Sequence, residues 1–484
     1  MDTRLLQLSE TTYWTARHAV EGVQIFGGIG SGKTSGSGRM LALSYLKAGF
    51  GGLVLTVKPD EKQSWVDYCR IAGREDDLIV IEPGGEHVFN FVEYESRSGM
   101  TENIMQVLKT VIRAAEEKSS GGSDDQFWQD ALDMLIFNVI DLCKLAYGRV
   151  DIQTMYDIVQ SIPKGEQTQH SDEESDYEIA FDLARENVSK QIEEWKNTLP
   201  WEVMNRIGRS ANALDTAACQ DLPDARAFRF VKQFFRDTYR GLSEKTRSII
   251  DFSFSGFLFR LLREPVYSLF CRGECTVTPE DCMTGKIILI NLPVKEYHKV
   301  GQDAQVMFKY IWQRAMEKRK VLDNTMPVFL WADEAQNFLH EYDPDYQATA
   351  RSSRIATVYI SQNLPNYYAN MGGAKSEYKV KSFIGTMSTK IFHANADMET
   401  NNYASDLIGE RPFIETSTGN SYGSKDFNSN KNNVLRFDKV VRPEAFSFLK
   451  TGGIQNGFQS EAVVCLQSSN NNFYKLSFDQ RFTL

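Results

Sequence analysis

One stretch constrains this chain more than any other. Residues Gly27–Thr34 read GGIGSGKT, directly after the apolar run Gly22–Phe26 (GVQIF) and before the helix-compatible residues Arg39–Ala48. Strand, glycine-rich turn and helix in that order form a cradle for phosphate. The glycines let successive backbone N–H groups curl around phosphate oxygens with no side chain in the way, and the helix N-terminus adds a partial positive charge. On this reading Gly27, Gly28, Ile29, Gly30, Ser31, Gly32, Lys33, Thr34 and Ser35 bind the phosphates of a nucleotide. Lys33 reaches the β- and γ-phosphates, and Thr34 holds Mg²⁺ through its hydroxyl.

A second element of the site should be an acid at the end of another apolar strand. Val328–Ala332 (VFLWA) runs into Asp333-Glu334. Asp333 is placed to bind Mg²⁺, and Glu334 to act as general base on the attacking water. Two alternatives stay open. The pair can simply cap the following helix, and Asp60-Glu61 also follows an apolar strand. Gln362, at the end of Thr357–Ser361 (TVYIS), is a candidate to hydrogen-bond the γ-phosphate or the water, or else a structural strand-end amide. Arg351 and Arg354 precede that strand and are candidates for an arginine finger; the bland alternative is a solvated ion pair. The only Asn-Lys pair, Asn430-Lys431, lacks the N-K-x-D pattern of guanine readers, which favours ATP over GTP.

The 484 residues suit about three domains. Basic residues number 54 and acidic ones 64, a net charge of −10, so the chain cannot coat DNA by bulk electrostatics; any grip needs local patches. One such patch is Arg226, Arg229, Lys232, Arg236, Arg240, Lys245 and Arg247 with interleaved phenylalanines, which also reads as an ordinary amphipathic helix. A second is Arg314, Lys318, Arg319 and Lys320. The seven cysteines are odd in number and scattered, as in a reducing cytosol. Cys271, Cys275 and Cys282 lack a fourth ligand at short spacing and read as ordinary thiols. No run approaches the ~18–20 apolar residues of a membrane span, and no signal-peptide core is present. A soluble, cytoplasmic protein is expected.

Strand signals at Gly52–Val57 and Leu78–Glu82, and again from Lys286–Leu292 to Lys390–Ala394, predict a parallel α/β sheet. Between them, roughly 101–245, only helical periodicity appears, with turns at Gly121–Asp125 and a polar acidic loop at Pro163–Asp176. Thr416–Asn433, rich in Ser, Gly and Asn, reads as a mobile loop. Ala462–Gln467 and Phe473–Phe478 read as closing strands.

The order GGIGSGKT, DDQFWQDAL, IILINLP, WADEAQNF and ARSSRIATVYISQN resembles type IV secretion coupling proteins of the TraD/TraG group, within the FtsK/HerA superfamily of RecA-like motor ATPases. KIFHANADMETNNYASDLIG and VVRPEAFSFLKTGG extend the resemblance toward the end of the chain. It implies an α/β RecA-like P-loop NTPase: a mostly parallel sheet from 1–100 and 246–484, with an all-helical domain inserted at 101–245. It implies ATP and Mg²⁺ as ligands, a homo-hexameric ring, DNA as the cargo pumped through it, and a helical domain that recruits protein cargo. Lys33, Thr34, Asp333, Glu334 and Gln362 fall on matching motif positions, and Arg351, eleven residues before Gln362, on the finger spacing. Two departures stand out. The family usually begins with transmembrane helices, and TVKPDEK replaces its D-P-K-G-E order. A motor without a membrane anchor is therefore expected, peripheral to the inner membrane only through partners. The alternative is an ATP-switched recruitment factor whose helical domain binds a protein.

Overall fold

Short aliphatic runs bounded by glycine build a nine-stranded sheet in the computed structural model, which describes residues 1–97, 99–117, 126–163, 174–207, 210–371, 376–422, 427–467 and 473–482. The expected turn at Gly121–Asp125 lies outside these residues, as does most of the loop expected at Pro163–Asp176. The strands are β1 (Arg4–Gln7), β2 (Tyr13–Thr15), β3 (Val23–Phe26), β4 (Gly51–Leu55), β5 (Leu78–Ile81), β6 (Ile287–Ile290), β7 (Val328–Ala332), β8 (Ile355–Ser361), β9 (Thr389–His393), β10 (Glu410–Tyr422), β11 (Phe427–Lys439), β12 (Gln459–Leu466) and β13 (Phe473–Asp479).

The sheet order is β13-β12-β9-β3-β8-β7-β4-β6-β5. β9, β3, β8, β7 and β4 pair in parallel, while β12 joins β9 and β13 antiparallel. Every residue of β3, β4, β7, β8 and β9 is buried. That is why these segments read as continuous apolar runs rather than alternating ones: a parallel sheet is covered on both faces. This is an α/β RecA-like fold.

The chain divides into two compact units. The first contains residues 1–79, 280–289 and 313–484 and holds the sheet apart from the ends of β5 and β6. Its aromatic packing is dense. Trp65 stacks on Phe329 at 5.6 Å between ring centroids and meets Trp331 edge-on at 5.4 Å. The second unit, 80–279 with 290–312, is helical in its described residues from 101 to 245. Helix Gln126–Tyr147 presents buried Leu132, Leu135, Ile136, Val139 and Ile140 at helical spacing. Its neighbours start on side-chain caps. Asp151 accepts from the Thr154 N–H, and Ser175 with Glu178 forms a reciprocal capping box ahead of helix Asp176–Thr198. Among the described residues no helix is long and apolar enough to cross a membrane.

Two expectations are corrected here. Of the loop expected at Thr416–Asn433, Thr416–Tyr422 and Phe427–Asn433 are strand instead, and 423–426 lie outside the described residues: β10 and β11 pair antiparallel over thirteen residues each, from Glu410↔Lys439 to Tyr422↔Phe427. Backbone pairing needs no apolar side chains, so composition misled. Of the basic group at 314–320, Arg319 is buried, not available to phosphate. It donates to the carbonyls of Met326 and Arg354, and burial together with Arg354 lowers its pKa to about 10. In the other cluster Phe234, Phe235 and Tyr239 are buried while Lys232, Arg236 and Arg240 are exposed, the arrangement of an amphipathic helix with a solvated basic side.

Gly52 faces Phe329 across the β4–β7 register, and a Cβ at that position would lie 2.5 Å from the ring. The ring is itself pinned by Trp65. Gly52→Ala should therefore destabilise the protein by about 1–3 kcal/mol through overpacking, measured as a lower denaturation midpoint; an unchanged midpoint would mean that the stack yields freely.

Candidate nucleotide-binding site

β3 delivers the glycine-rich loop. Gly30 and Gly32 have positive φ (72° and 84°), which only glycine adopts without strain. The helix then opens with a wide π-type turn, Lys33–Gly38, that continues into Arg39–Lys47. Ser31 carries a buried hydroxyl oxygen with no hydrogen-bond partner among the described residues. A buried polar atom left unpaired costs free energy, and a phosphate oxygen would satisfy it. The loop is braced from β9: the Ser37 hydroxyl and His393 Nε2 lie 2.7 Å apart. Burial lowers the His393 pKa to about 3, so the ring stays neutral and serves as a fixed hydrogen-bonding group.

The structure brings Lys33, Thr34, Asp333, Glu334 and Gln362 together. They come from the carboxyl ends of β3, β7 and β8, with β8 lying between the other two. Ligands of open α/β sheets bind outside such ends. Thr34 Oγ1 donates to Asp333 Oδ2 at 2.7 Å. A hydroxyl and a carboxylate oxygen side by side are hard donors of the kind Mg²⁺ takes. Asp333 Oδ1 accepts the Glu334 N–H at 2.9 Å. Lys33 Nζ is 3.8 Å from Glu334 Oε1, and Gln362 Nε2 is 3.5 Å from the same oxygen. Glu334 itself has φ 49°, a left-handed conformation unusual for a residue with a side chain. Such strain clusters at functional sites.

Two residues that motif reading passed over, Gln336 and Lys58, join this set, together with Glu61, which the sequence left open as an alternative acid. Gln336 Nε2 donates to Glu334 Oε2 at 2.9 Å, and Gln336 Oε1 accepts from Ser361 at 2.9 Å. Lys58 Nζ stands 3.9 Å from Asp333 and 4.0 Å from Glu334. Burial pulls its pKa down, yet Asp333, Glu61, Glu334 and Asp60 outweigh burial and leave the pKa above the usual value. Glu61 accepts the Val57 N–H at 2.7 Å through Oε2, while its buried Oε1 has no partner among the described residues. Lys58 and Gln336 stood inside the motifs TVKPDEK and WADEAQNF as polar residues just beyond apolar strands. That was the available signal.

The arginines lie elsewhere. Arg351 is exposed and pairs with Glu21 at 3.4 Å, ahead of β8 and β3 rather than beyond them. Arg354 has φ 53°, its guanidinium bonds the Thr325 carbonyl, and its own carbonyl accepts from Val328 and Arg319. Arg354 is thus a local brace, and Arg351 is the one exposed to solvent.

Burial and the Asp333 charge raise the Glu61 pKa to about 8. In the metal-free protein the folded state keeps this proton up to about pH 8, whereas the unfolded chain loses it near the ordinary value of 4.5. Stability therefore falls as pH rises between those values. Glu61→Gln should remove that slope and stabilise the metal-free protein by roughly 1–3 kcal/mol at pH 8, with little gain at pH 5. Denaturation midpoints at the two pH values give the answer, and an equal change at both would contradict the assignment.

Known proteins resemble this chain in sequence over one region and in fold throughout. A family model described as the TraM recognition site of TraD and TraG matches residues 327–449. No curated protein matches the chain by sequence. The bacterial conjugative coupling protein TrwBdeltaN70, unbound and in a monoclinic form, aligns over 100% of this chain and 90% of its own at 13% identity and a TM-score of 0.61. The plasmid coupling protein TrwB in complex with ADP and Mg²⁺ aligns over 100% and 91%, at 13% and 0.61. TrwB with the ATP analogue ADPNP aligns over 99% and 94%, at 13% and 0.60. The chain thus resembles the TraD/TraG type of coupling protein, sharing the fold of TrwB and matching the TraG-D_C model over residues 327–449.

Proposed function

We propose that this protein is an ATP-hydrolysing ring motor that translocates DNA. One observation carries the chemistry: Lys33, Thr34, Asp333, Glu334 and Gln362 converge beyond three neighbouring strands. The coupling protein TrwB, described with ADP and Mg²⁺ and with an ATP analogue, lends support. Residues 27–35 then cradle the phosphates, and Thr34 with Asp333 holds Mg²⁺. The ion, when bound, neutralises phosphate charge. Lys33, paired with Glu334 at 3.8 Å, turns to the β- and γ-phosphates. Glu334 takes the proton of the attacking water, held in place by Gln336 on one oxygen and Gln362 on the other. Glu334→Gln should keep nucleotide affinity and lower turnover by about 10²-fold or more, measured by binding and hydrolysis assays on the same preparation; turnover at the wild-type rate would remove Glu334 from the role.

Assembly follows from Arg351. It lies before the amino end of β8, whose seven residues at ~3.3 Å each put it roughly 20 Å from its own phosphate loop. A finger from this position serves a neighbouring subunit, as in a hexameric ring. Mixing Arg351→Ala with Glu334→Gln subunits should restore some turnover, because mixed rings contain interfaces with both groups intact. No recovery in rings shown to be mixed would exclude Arg351. In this reading 1–100 and 246–484 form the nucleotide domain and 101–245 recognises DNA or cargo. The motor works in the cytoplasm and meets the inner membrane through partners.

One observation favours a second reading, an ATP-switched recruitment factor. In hairpin β10–β11, Ile414, Leu435 and Phe437 share one face and are 66%, 63% and 65% exposed, within the region matched to a TraM recognition site. Hydrolysis by sized oligomers with and without DNA separates the two. Stimulation by DNA supports the motor, and turnover indifferent to DNA but raised by a protein partner supports recruitment.

A further inference from the structure

The first turn of the phosphate-loop helix is held by the far end of the chain. β12 and β13 press against it so closely that a Cβ on Gly32 would lie 2.5 Å from the Ser460 Cβ. Beyond β13, Arg39 donates through Nε to the Phe482 carbonyl at 3.1 Å and through Nη1 to the Gln480 carbonyl at 3.3 Å. The Gln480 N–H donates to the Phe458 carbonyl at 2.9 Å. Gln480 therefore has its backbone fixed on two sides.

Its side chain is fixed as well. Gln480 Oε1 accepts the Gly453 N–H at 2.8 Å, and Nε2 donates to Ser35 Oγ at 2.8 Å. A backbone N–H can only donate, so Gly453 determines which end of the amide is oxygen and leaves the NH₂ end for Ser35. A serine hydroxyl has one proton to give and two lone pairs. With one lone pair occupied by Gln480, the O–H proton remains to be donated elsewhere. Ser35 is exposed, one residue after Thr34, at a helix N-terminus suited to anions.

We propose that Gln480 is a positioning residue of the nucleotide site: it presents the Ser35 hydroxyl as a hydrogen-bond donor to a phosphate oxygen of the bound nucleotide. The inference rests on the nucleotide-binding reading above and adds to it a wall of the site built from the end of the chain. It also gives opposite expectations for two similar substitutions. Gln480→Ala removes the guide and leaves Ser35 free to rotate. Gln480→Glu is nearly isosteric, yet its carboxylate accepts the Ser35 proton and sets a negative charge beside the phosphates.

The test is calorimetric binding of ADP and of ATP with Mg²⁺ to the full chain, with steady-state hydrolysis alongside. Gln480→Ala should weaken ADP binding about 3- to 10-fold, the size of one ordinary neutral hydrogen bond, since the Ser35 hydroxyl itself remains. Gln480→Glu should weaken it further, and for both the loss should fall on KM rather than kcat. On a Ser35→Ala background Gln480→Ala should add nothing to the loss, because the group it acts through is gone, and Gln480→Glu should add only the share due to its charge. Wild-type affinity in both variants would overturn the inference. So would an equal loss from Gln480→Ala with and without Ser35, which marks a structural effect. Failure of the wild-type chain to bind ADP, or full affinity in Lys33→Ala, would instead bring down the nucleotide reading and this inference with it.

Discussion

The strand order β3-β8-β7 is the constraint on which the site depends. Parallel pairing points three carboxyl ends the same way, and an inter-strand spacing near 4.8 Å puts residues from opposite ends of the sequence within reach. Thr34 and Asp333 are 299 positions apart, yet they share a 2.7 Å hydrogen bond. Burial of these strands on both faces leaves no freedom to slip, since a shift would expose their apolar residues. The phosphate loop and the acidic pair are thus registered by the core, and the single hydrogen bond between them reports that register.

Electrostatics then shapes what the core has brought together. Asp333, Glu334 and Glu61 gather around one small region, and Lys33 and Lys58 answer them from two different segments. Neither lysine makes a tight pair: separations of 3.8–4.0 Å leave each ammonium able to move toward phosphate. Glu334 keeps a left-handed backbone that costs on the order of 1–3 kcal/mol. The hydrogen bonds from Gln336 and from its own N–H to Asp333 hold it there. A carboxylate held in a strained conformation by several partners is pre-organised, which suits the base proposed for it.

Hairpin β10–β11 illustrates where composition and structure part company. The stretch Thr416–Asn433 is rich in Ser, Gly and Asn, residues common in turns. The alternation that marks a strand sits at the base of the arms, where Pro412 faces Phe437 and Ile414 faces Leu435. A two-stranded ribbon is held by its ladder and by cross-strand pairs such as Glu415–Arg436 rather than by a core. Hydrophobic patterning is a record of burial, so it is faint where nothing is buried.

The glycine-rich loop, the acidic pair and the parallel sheet were legible in the amino-acid sequence. Each of these is a local pattern: glycines where the backbone must turn, an acid directly after an apolar strand, aliphatic runs where both faces are covered. The sequence also placed Gln362 at a strand end. Which polar residues stand beside those patterns depends on long-range contacts. Gln336 and Lys58 carry no spacing of their own, and they acquire meaning from distances of 2.9–4.0 Å to carboxylates elsewhere in the chain. The fold likewise separated Arg351 from Arg354, turned Arg319 inward and set Gln480 on Ser35, 445 residues away. Such contacts join residues remote in sequence, and no periodicity along the chain records them.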